Sequence, residues 1–442
     1  MASRSFKVLI AGAGPTGLIA AHALGLAGID FTILESRDKV AEDVGASLVL
    51  SPPTMRIMQQ LGLFEALKAI GQELRHSKSF TTDGYVFRDN TELDILKKNH
   101  GISLVAFHRA ELVQTLYDNL PHSLKENIKF GKKVKNIDAT EDDVEVECAD
   151  GSTYEGSILI GADGVHSKTR HLMRRLAQQS NLGSSWIPES PYVSSYKCLW
   201  CTFPRLTEPG ESFDTQHKDS AVMYISGRER SWIFLYKKLP QPTQERVYYT
   251  NQDVEDFAAE FANYPVCENY KVRQVFAGRF HAGMSNLEEG IVPHWSMGRI
   301  VLVGDACHKF TPNAGLGFNN GLQDVVALCN GLQKAVLETP GLEPTSGTLT
   351  NVFKVYQKTR QKAVETDYSY SSQLTRMQAW PNTLYFLVGR YLSAYRIVDQ
   401  WMVEYMSRAS YRHGLVFEYL STGKQLQGNL SWTYSIKSRN GE

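Results

Sequence analysis

The sequence predicts an α/β protein in which a split α/β domain surrounds an inserted β-sheet domain and is followed by C-terminal helices. Three observations predict this class. An apolar strand, a glycine turn and an alanine-rich helix open the chain at Lys7. A β-rich, aromatic stretch follows at about residues 192–280, and a second apolar strand, ending in glycine and aspartate, begins near Gly298. We therefore expect one interrupted domain rather than two consecutive ones.

The first element is a strand–turn–helix–strand unit. KVLIAGAGPTG supplies a strand and a turn, LIAAHALGLAG supplies a helix that stops at Gly28, and DFTILE supplies the next strand. The unit has the length of about 30 residues that a βαβ crossover needs. It predicts a parallel sheet as the frame of the split domain.

Changes of pattern along the chain predict the domain boundaries. Short strands and turns alternate with helices before the aromatic stretch, and the chain after about residue 365 reads as helical to the end. We predict that the split domain takes residues 1–75, 102–190 and 285–365. The inserted domain then takes residues 76–101 and 191–284, and a C-terminal helical region takes 366–442.

Composition and charge argue against several classes of protein. The 442 residues carry 47 Lys and Arg against 47 Asp and Glu, so no net charge steers the chain toward nucleic acid. Six cysteines show no framework spacing, and the lone CxxC of YKCLWCTF lacks the second ligand pair of a zinc site. We therefore predict no metal centre and a reduced, cytoplasmic protein.

The most apolar stretch lies near the C-terminus. LYFLVGRYLSAYRIVDQWMVEYM is interrupted by Arg390, Arg396 and Asp399, so it does not read as a membrane span. Its apolar and aromatic residues are typical of a packed pair of amphipathic helices. Weak contact of these helices with a membrane surface stays an alternative.

The glycine turn of the first unit predicts a dinucleotide site. Gly12, Gly14 and Gly17 form GAGPTG, in which the first glycine makes the turn, the second admits a pyrophosphate and the third lets helix and strand pack closely. The helix N-terminus then faces the phosphates. Glu35, at the end of the second strand, can bind the adenosine ribose hydroxyls and would repel a 2′-phosphate, which indicates FAD or NAD rather than NADP.

Two further strand ends favour FAD over NAD. LIGADGVHSKTR places Asp163 after an apolar strand, and GRIVLVGDA places Asp305 after another. The ribityl chain of a flavin carries hydroxyls that can donate to a carboxylate at a strand end, and a nicotinamide site needs neither feature. Beyond Asp305, Gly315 and Gly317 would let the backbone approach the flavin ring.

In this order, GAGPTG…E, GADGVHSKTR and GRIVLVGDACHKFTPNAGLGFNNG resemble the motifs of the class A, or aromatic-hydroxylase-like, FAD-dependent monooxygenases. The segment VGASLVLSP…LGLFE…HRAELVQTLYD resembles most closely their fungal secondary-metabolite branch, which oxidises prenylated indoles and indole alkaloids, indole diterpenes and meroterpenoids. The resemblance covers about residues 6–365. It implies a para-hydroxybenzoate-hydroxylase-like fold, with a Rossmann-like FAD-binding domain split around a β-sheet substrate domain.

The resemblance also implies a role for each matching residue. Glu35 would bind the adenosine ribose, and Arg109 of HRAEL would reach the phosphates. Asp305 would bind the ribityl or pyrophosphate region. Ala46 and Val49, in the segment ASLV, would lie against FAD through their backbone.

Asp163 and Phe318 complete the expected FAD site. Asp163 belongs to the second motif, at the end of its strand. Phe318 stands beside the flavin where the family usually has a small residue, so packing against the ring should differ there.

The candidates for catalysis lie in the inserted domain. Tyr196 and Lys197 occur where its sheet would face the flavin, and Lys197 could serve as a general acid. His308 follows the third strand but has no partner carboxylate nearby in sequence, so it reads as a packing residue. Alternate members of an aromatic set would form the wall of an apolar substrate site: Trp200, Phe203, Tyr224, Trp232, Phe234 and Tyr236.

The reaction that the resemblance implies is a monooxygenation. NADPH or NADH binds transiently, since the chain has no second GxGxxG, and reduces FAD. Reduced FAD and O₂ give a flavin C4a-hydroperoxide, which passes one oxygen atom to an electron-rich group. We expect an apolar natural product whose indole or prenyl double bond becomes an epoxide, and an indole epoxide can rearrange to a spiro-oxindole.

Three alternatives stay open at this point. A phenolic ring hydroxylase would need a base that forms the phenolate. A flavin alkene reductase would need no O₂. An isoprenoid-binding module of the same fold would need no flavin turnover.

Overall fold

The computed structural model describes residues 6–43, 45–180, 186–339, 341, 343–423 and 425–438. The strands are β1 (Lys7–Ala11), β2 (Asp30–Leu34), β3 (Ser47–Leu50), β4 (Gln72–Glu73), β5 (His76–Thr81), β6 (Val86–Asn90), β7 (Val105–His108), β8 (Ile128–Lys129), β9 (Val134–Ala139), β10 (Val144–Cys148), β11 (Thr153–Gly156), β12 (Ile158–Gly161), β13 (Val193–Pro204), β14 (Glu211–His217), β15 (Ser220–Ser226), β16 (Arg230–Thr243), β17 (His281–Ile291), β18 (Ser296–Met297), β19 (Ile300–Leu302), β20 (His308–Lys309), β21 (Ser421–Thr422) and β22 (Lys437–Ser438). The α-helices are α1 (Pro15–Leu26), α2 (Pro52–Gln60), α3 (Phe64–Ile70), α4 (Leu93–His100), α5 (Arg109–Asp118), α6 (His122–Lys125), α7 (Lys168–Gln179), α8 (Asn251–Glu260), α9 (Val272–Ala277), α10 (Leu316–Glu338), α11 (Ser346–Ala379), α12 (Thr383–Leu387) and α13 (Arg396–Ala409).

The central sheet of the split domain has the strand order β18-β19-β12-β1-β2-β8. β1 pairs in parallel with β2 and β12, and β12 pairs in parallel with β19, so strands from distant parts of the sequence lie side by side. Each is a short, largely buried apolar run, as expected for parallel strands covered by helices. The carboxyl ends of β19, β12, β1 and β2 therefore meet at one edge of the sheet, which is where ligands bind in open α/β sheets.

Helices hold this sheet in the main core of the molecule. α10 packs against α1 and α11. Apolar residues of these helices share one buried cluster with the strands of the sheet. Consequently the third sequence motif, which joins β19 to α10, is brought beside the first motif, which joins β1 to α1.

The second large sheet has eight strands in the order β20-β17-β13-β16-β15-β14-β5-β6. Its strands alternate between two faces. One face packs on α8 and α9 in a cluster that includes Leu199 and Ile233. The other face carries a separate apolar cluster that includes Cys198 and Phe234. Because β20 belongs to the third motif, one edge of this sheet reaches the split domain. The domain boundaries predicted from the sequence remain our proposal.

The C-terminal region differs from the expectation that it is helical to the end. Helices continue to Ala409, but the described chain beyond it is mostly irregular and contains only a 3₁₀ turn and the short strands β21 and β22. Side-chain amides form hydrogen bonds with the backbone groups of this segment instead. Gln60 donates to the carbonyl oxygens of Phe417 and Leu420 at 2.8 and 2.9 Å and accepts from the N–H of Phe417 at 3.0 Å. Tertiary hydrogen bonds thus replace the helical ones that the apolar pattern suggested.

Candidate active site

The glycine turn lies at the shared strand edge, between β1 and α1. Gly12 has a φ of +101°, and a Cβ there would lie 2.8 Å from the carbonyl oxygen of Ala162. At Gly17 a Cβ would lie 2.0 Å from the carbonyl oxygen of Gly12, so only glycine lets α1 begin so close to the turn. Around the Cβ position of Gly14, by contrast, no described atom beyond its chain neighbours lies within 4 Å. The space at Gly14 fits an approaching pyrophosphate.

Glu35 follows β2 and is buried beside this turn. Its Oε2 accepts from the N–H of Ala13 at 2.7 Å, and its Oε1 accepts from the N–H and the Nε of Arg37 at 2.9 and 3.0 Å. Burial acts to raise the pKa of Glu35, but the hydrogen bonds from Arg37 and Ala13 outweigh burial and hold the pKa below its usual value. The carboxylate is therefore ionised at neutral pH, and its contact with the adenosine ribose stays a prediction.

Arg109 begins α5 and projects its side chain into a large cavity at the strand edge. Its backbone N–H donates to Ala46 at 3.1 Å, but its guanidinium has no hydrogen bond or ion pair with the described residues. Although solvent reaches the side chain through the cavity, protein surrounds it. Burial and the nearby charge of Arg37 lower its pKa, and Asp305 opposes them. A cation that lines the cavity and has no acceptor among the described residues is suited to an anionic ligand such as a pyrophosphate.

Asp305 lies in the tight turn that follows β19. Its Oδ2 accepts from Lys309, and its carbonyl oxygen accepts from the hydroxyl of Tyr192 at 3.0 Å. No donor among the described residues bonds its Oδ1, and the residue lines the cavity. One carboxylate oxygen is thus available for a ligand hydroxyl. Gly317 approaches the same atom, since a Cβ there would lie 3.7 Å from Oδ1.

Gly315 and Val49 bring two elements together on the cavity wall. Gly315 has a φ of +65°, and a Cβ there would lie 3.2 Å from the Cβ of Val49. Asn319 Nδ2 donates to the carbonyl oxygens of Val49 and Gly315, at 2.8 and 2.6 Å. This amide holds β3, with neighbouring Ala46, against the start of α10. Sequence reasoning missed Asn319 because its partner strand is remote in sequence.

Asp163 and Phe318 also line the cavity, but both are engaged by protein. Asp163 Oδ2 accepts from the N–H and the hydroxyl of Thr169 at 2.8 and 2.9 Å, and its Oδ1 accepts from Ser167. Its observed role is to close the N-terminus of α7, and its contact with FAD stays a prediction. Phe318 is 8% exposed and belongs to the main core. Most of this large side chain is therefore accommodated by the core.

The two catalytic candidates do not line the cavity. Lys197 Nζ lies 4.5 Å from the centre of the Phe257 ring of α8, on the far side of the sheet. Tyr196 is buried, and burial raises its pKa to about 12. Cys198 and Trp200 do line the cavity, so the alternation of β13 turns Lys197 away from it. The expectation that Lys197 acts there as an acid therefore has no structural basis.

Two of the six aromatic wall candidates face the cavity, Trp200 and Phe234. Phe203 and Tyr224 pack instead in the cluster on the opposite face. Trp232 and Tyr236 are buried in the cluster beneath the wall. Met223 and Ile225, from the neighbouring strand, complete an apolar surface that sequence reasoning had assigned only to aromatic residues.

Sequence reasoning also missed a buried network behind Asp305. Asp324 of α10 accepts from His308 Nε2 at 2.6 Å, from Arg360 Nε at 2.9 Å and from the N–H of Gly304 at 3.0 Å. Burial acts to raise the pKa of Asp324, but His308 and Arg360 outweigh it, so the pKa lies below its usual value. Because Gly304 directly precedes Asp305, the network fixes the turn that presents that carboxylate.

The same network includes residue types that bind metals. Cys307, His308 and Asp324 lie within one buried group. Both oxygens of Asp324 are, however, already bound by the protein donors just described. Arg360 also supplies a positive charge there, so we interpret the group as structural.

The glycine turn, Arg109, Asp305 and the apolar surface line one cavity of about 1410 Å³. A pocket for one small ligand is typically about 300–1,000 Å³, so there is room for a dinucleotide and a second ligand. The space at Gly14, the unpaired Arg109 and the available oxygen of Asp305 fit the phosphates and ribityl chain of FAD. Fold and site together indicate a dinucleotide-binding protein with room for a second ligand beside the cofactor.

Comparisons with known proteins give the family. Residues 5–341 match the family model described as FAD binding domain, and the chain belongs to this family. FAD-dependent monooxygenase spyC of Aspergillus fumigatus is 32% identical over 402 residues, which cover 88% of this chain and 83% of the relative. FAD-dependent monooxygenase ausM of Penicillium brasilianum is 31% identical over 399 residues, which cover 88% and 82%. Klebsiella pneumoniae HpxO, solved in complex with FAD and uric acid, shares the fold with a TM-score of 0.71 at 19% identity, over 92% of this chain and 96% of that one.

The protein is an FAD-dependent monooxygenase of class A, in the fungal secondary-metabolite branch. The predicted para-hydroxybenzoate-hydroxylase-like fold and FAD as cofactor are confirmed. NAD(P)H is the co-substrate typical of the family, and the substrate is a small molecule oxidised with O₂.

Proposed function

We propose that this protein epoxidises an electron-rich indole or prenyl double bond in an apolar natural product. The observation that carries the proposal is the apolar wall formed by Trp200, Phe234, Met223 and Ile225. These four positions hold no titratable side chain, whereas a phenol hydroxylase needs a base beside the ring. An alkene needs only to be held in place and kept dry.

The overall reaction balances without an acid or base from this wall. Alkene, O₂, NAD(P)H and a proton give epoxide, water and NAD(P)⁺. Bound FAD supplies the redox chemistry, namely acceptance of hydride and activation of O₂. The protein's contribution is to bind the alkene on the apolar wall and to exclude water, which would otherwise divert the oxidant to peroxide.

The test is a coupled assay with three classes of probe: prenylated indoles, prenylated aromatics without a phenol, and simple phenols. We expect the alkenes to stimulate NADPH oxidation and O₂ uptake together, and ¹⁸O₂ to add one labelled oxygen atom to the product. Trp200→Ala should lower the fraction of NADPH that yields product and raise peroxide release. Phe203→Ala is the matched control, because Phe203 lies on the opposite face of the sheet.

Each alternative predicts a different result in the same assay. Stimulation by phenols alone would support a ring hydroxylase. A product that gains two hydrogens without O₂ uptake would support an alkene reductase. Tight binding of isoprenoids without NADPH oxidation would support a binding module.

We further propose that the C-terminal helices contact a membrane surface weakly. Among the described residues no helix is long and apolar enough to span a bilayer. The segment around α12 and α13 nevertheless exposes a set of apolar and aromatic side chains: Leu384, Leu387, Tyr391, Leu392, Tyr395, Ile397, Trp401 and Tyr405. Exposed apolar and aromatic side chains with Arg residues beside them are typical of helices that bind at a membrane interface. Met402 and Met406 of α13 line the cavity, so an apolar substrate could pass from the lipid to the site.

This contact can be measured by sedimentation with vesicles of phosphatidylcholine and phosphatidylserine. We expect wild-type protein to bind and Trp401→Asp to bind much less. Tyr248→Asp is the control, because Tyr248 is also an exposed aromatic residue but lies in the predicted inserted domain. Equal binding of all three proteins would contradict the proposal. A cytoplasmic location also remains our proposal, in keeping with six cysteines that are all unpaired and buried.

A further inference from the structure

One row of paired residues crosses the cavity-facing side of the eight-stranded sheet. It runs, in strand register, through Trp200, Phe234, Met223, Asp214, Ser79 and Arg88. The row is apolar as far as Met223 and polar from Asp214 onward. At about 4.8 Å per strand, Asp214 lies about 14 Å along the sheet from Trp200. The wall that binds the apolar part of a substrate therefore ends in polar groups.

The C-terminal helix α13 completes this polar end. Arg88 lies between two carboxylates, with Nη2 3.2 Å from Asp214 Oδ1 and Nη1 3.5 Å from Asp399 Oδ1. Asn90 donates to Asp399 Oδ2. All four residues line the cavity, and we call them the polar cluster.

Hydrogen-bonding capacity within the polar cluster is unevenly used. Asp214 is well satisfied, since it also accepts from Ser79 at 2.8 Å and from Gln216 at 2.6 Å. From the described residues Asp399 accepts only the long contact from Arg88 and the bond from Asn90, although a carboxylate can accept about four hydrogen bonds. Arg88 Nε is buried and has no partner among the described residues.

Tyr370 of α11 adds a hydroxyl beside the polar cluster. It lines the cavity and makes no hydrogen bond with the part of the chain that the structure describes. Burial raises the pKa of Tyr370 to about 12, so the group stays protonated at neutral pH and can both donate and accept. Arg88 and Asp399 lie near enough for their charges to act on that pKa.

We propose that Asp399 and Tyr370 bind a hydroxyl group of the substrate, so that the substrate is an alkene with a hydroxyl remote from the double bond that is oxidised. This inference rests on the proposed function and names the substrate class of the same site. A hydroxyl suits the polar cluster better than a carboxylate does, because two carboxylates already face one guanidinium there. Asp399 and Tyr370 are then specificity-determining residues.

A merely structural role is the competing explanation. α13 is also attached to α4 and its N-cap residue. Arg396 Nε donates to Glu92 at 2.7 Å, and Asn99 donates to Glu404 at 2.7 Å. Asp399 could be another attachment of the same kind. Glu404 does not line the cavity, so Glu404→Gln disturbs the attachment of α13 without altering the polar cluster.

The test compares two probes of nearly equal size, farnesol and farnesyl methyl ether, in equilibrium binding to the FAD-loaded protein. Quenching of tryptophan fluorescence reports binding without turnover. We expect the wild type to prefer farnesol about tenfold, since a hydrogen bond to a charged group contributes at least this much. Asp399→Asn should reduce the preference to about threefold or less, because a neutral acceptor is weaker. Tyr370→Phe should also reduce it, and Glu404→Gln should keep it.

Three outcomes would overturn the inference: equal affinity of the wild type for both probes, no binding of either probe, or equal loss of preference in Glu404→Gln and Asp399→Asn. Failure of the proposed function would look different. In that case the farnesol preference and its loss in Asp399→Asn would persist, but no alkene would take up oxygen.

Discussion

Replacing Arg109 by glutamine should weaken FAD binding by about 10- to 150-fold and leave the fold intact. The guanidinium projects into the cavity, has no acceptor among the described residues and lies near Arg37. A hydrogen bond to a charged group contributes about 1.5–3 kcal/mol, and 1.4 kcal/mol corresponds to a factor of ten in affinity. Removing an unpaired cation beside another cation should cost the apoprotein nothing. Its thermal midpoint without FAD should therefore equal or exceed that of the wild type.

Titration of the apoprotein with FAD, followed by quenching of flavin fluorescence, measures this affinity. Added salt should lower the FAD affinity of the wild type more than that of Arg109→Gln, because salt screens the charge that the variant lacks. Arg205→Gln is the matched control, since Arg205 donates to the carbonyl oxygen of Thr207 at the surface and does not line the cavity. An FAD affinity of Arg109→Gln equal to that of the wild type would refute the assignment.

Two further substitutions separate folding from cofactor binding. Gly17→Ala should destabilise the protein and abolish FAD retention, because its Cβ would lie 2.0 Å from a carbonyl oxygen. Gly14→Ala should fold normally and bind FAD more weakly, because the space around that position is open. Thermal unfolding with and without FAD distinguishes the two variants. Asp324→Asn should cost about 3–5 kcal/mol of stability at neutral pH, because it leaves the buried Arg360 without its carboxylate. The folded pKa of Asp324 lies below the unfolded value of about 3.9, so the stabilisation is full above that pH and is lost as pH falls through the folded pKa. The difference between wild type and Asp324→Asn in denaturant unfolding should therefore shrink in acid, and a difference that grew in acid would contradict the assignment.

Most of the residues predicted to bind the cofactor line one cavity, because they follow the ends of neighbouring strands. Glu35 and Asp305 each end a short apolar run, and a parallel sheet brings such ends to one edge. The pattern also predicted that a β-rich sheet would supply an apolar wall. The sequence pattern did not predict which face of the sheet lines the cavity. Side chains of a strand alternate between two faces, and the elements packed on each face determine which one is open. Lys197 and Trp200 illustrate this, since α8 covers the side of Lys197 and the cavity lies on the side of Trp200.

The rest of the site depends on contacts between distant parts of the chain. His308 has a carboxylate partner, Asp324, but that residue lies 16 positions further along the chain. It belongs to a helix whose packing no local sequence pattern reveals. The polar cluster joins Arg88 to Asp399, which lie 311 residues apart in the sequence. In sequence Asp399 looked only like an interruption of an apolar stretch. Its place in the polar cluster depends on the register of the sheet and the position of α13, neither of which periodicity determines.

The attachment of α13 indicates how a substrate reaches the cavity. Only Asp399 and Ser407 of this helix are buried, whereas α10 buries a long series of apolar residues. Ion pairs and side-chain amides attach α13 to the rest of the chain, and such contacts contribute less than apolar burial when they are partly exposed. We therefore expect its amides to exchange with solvent much faster than those of α10 in hydrogen–deuterium exchange, and farnesol to slow the exchange of α13 because it would bond to Asp399. Equal protection of the two helices would show that α13 is a fixed wall and that substrates enter elsewhere.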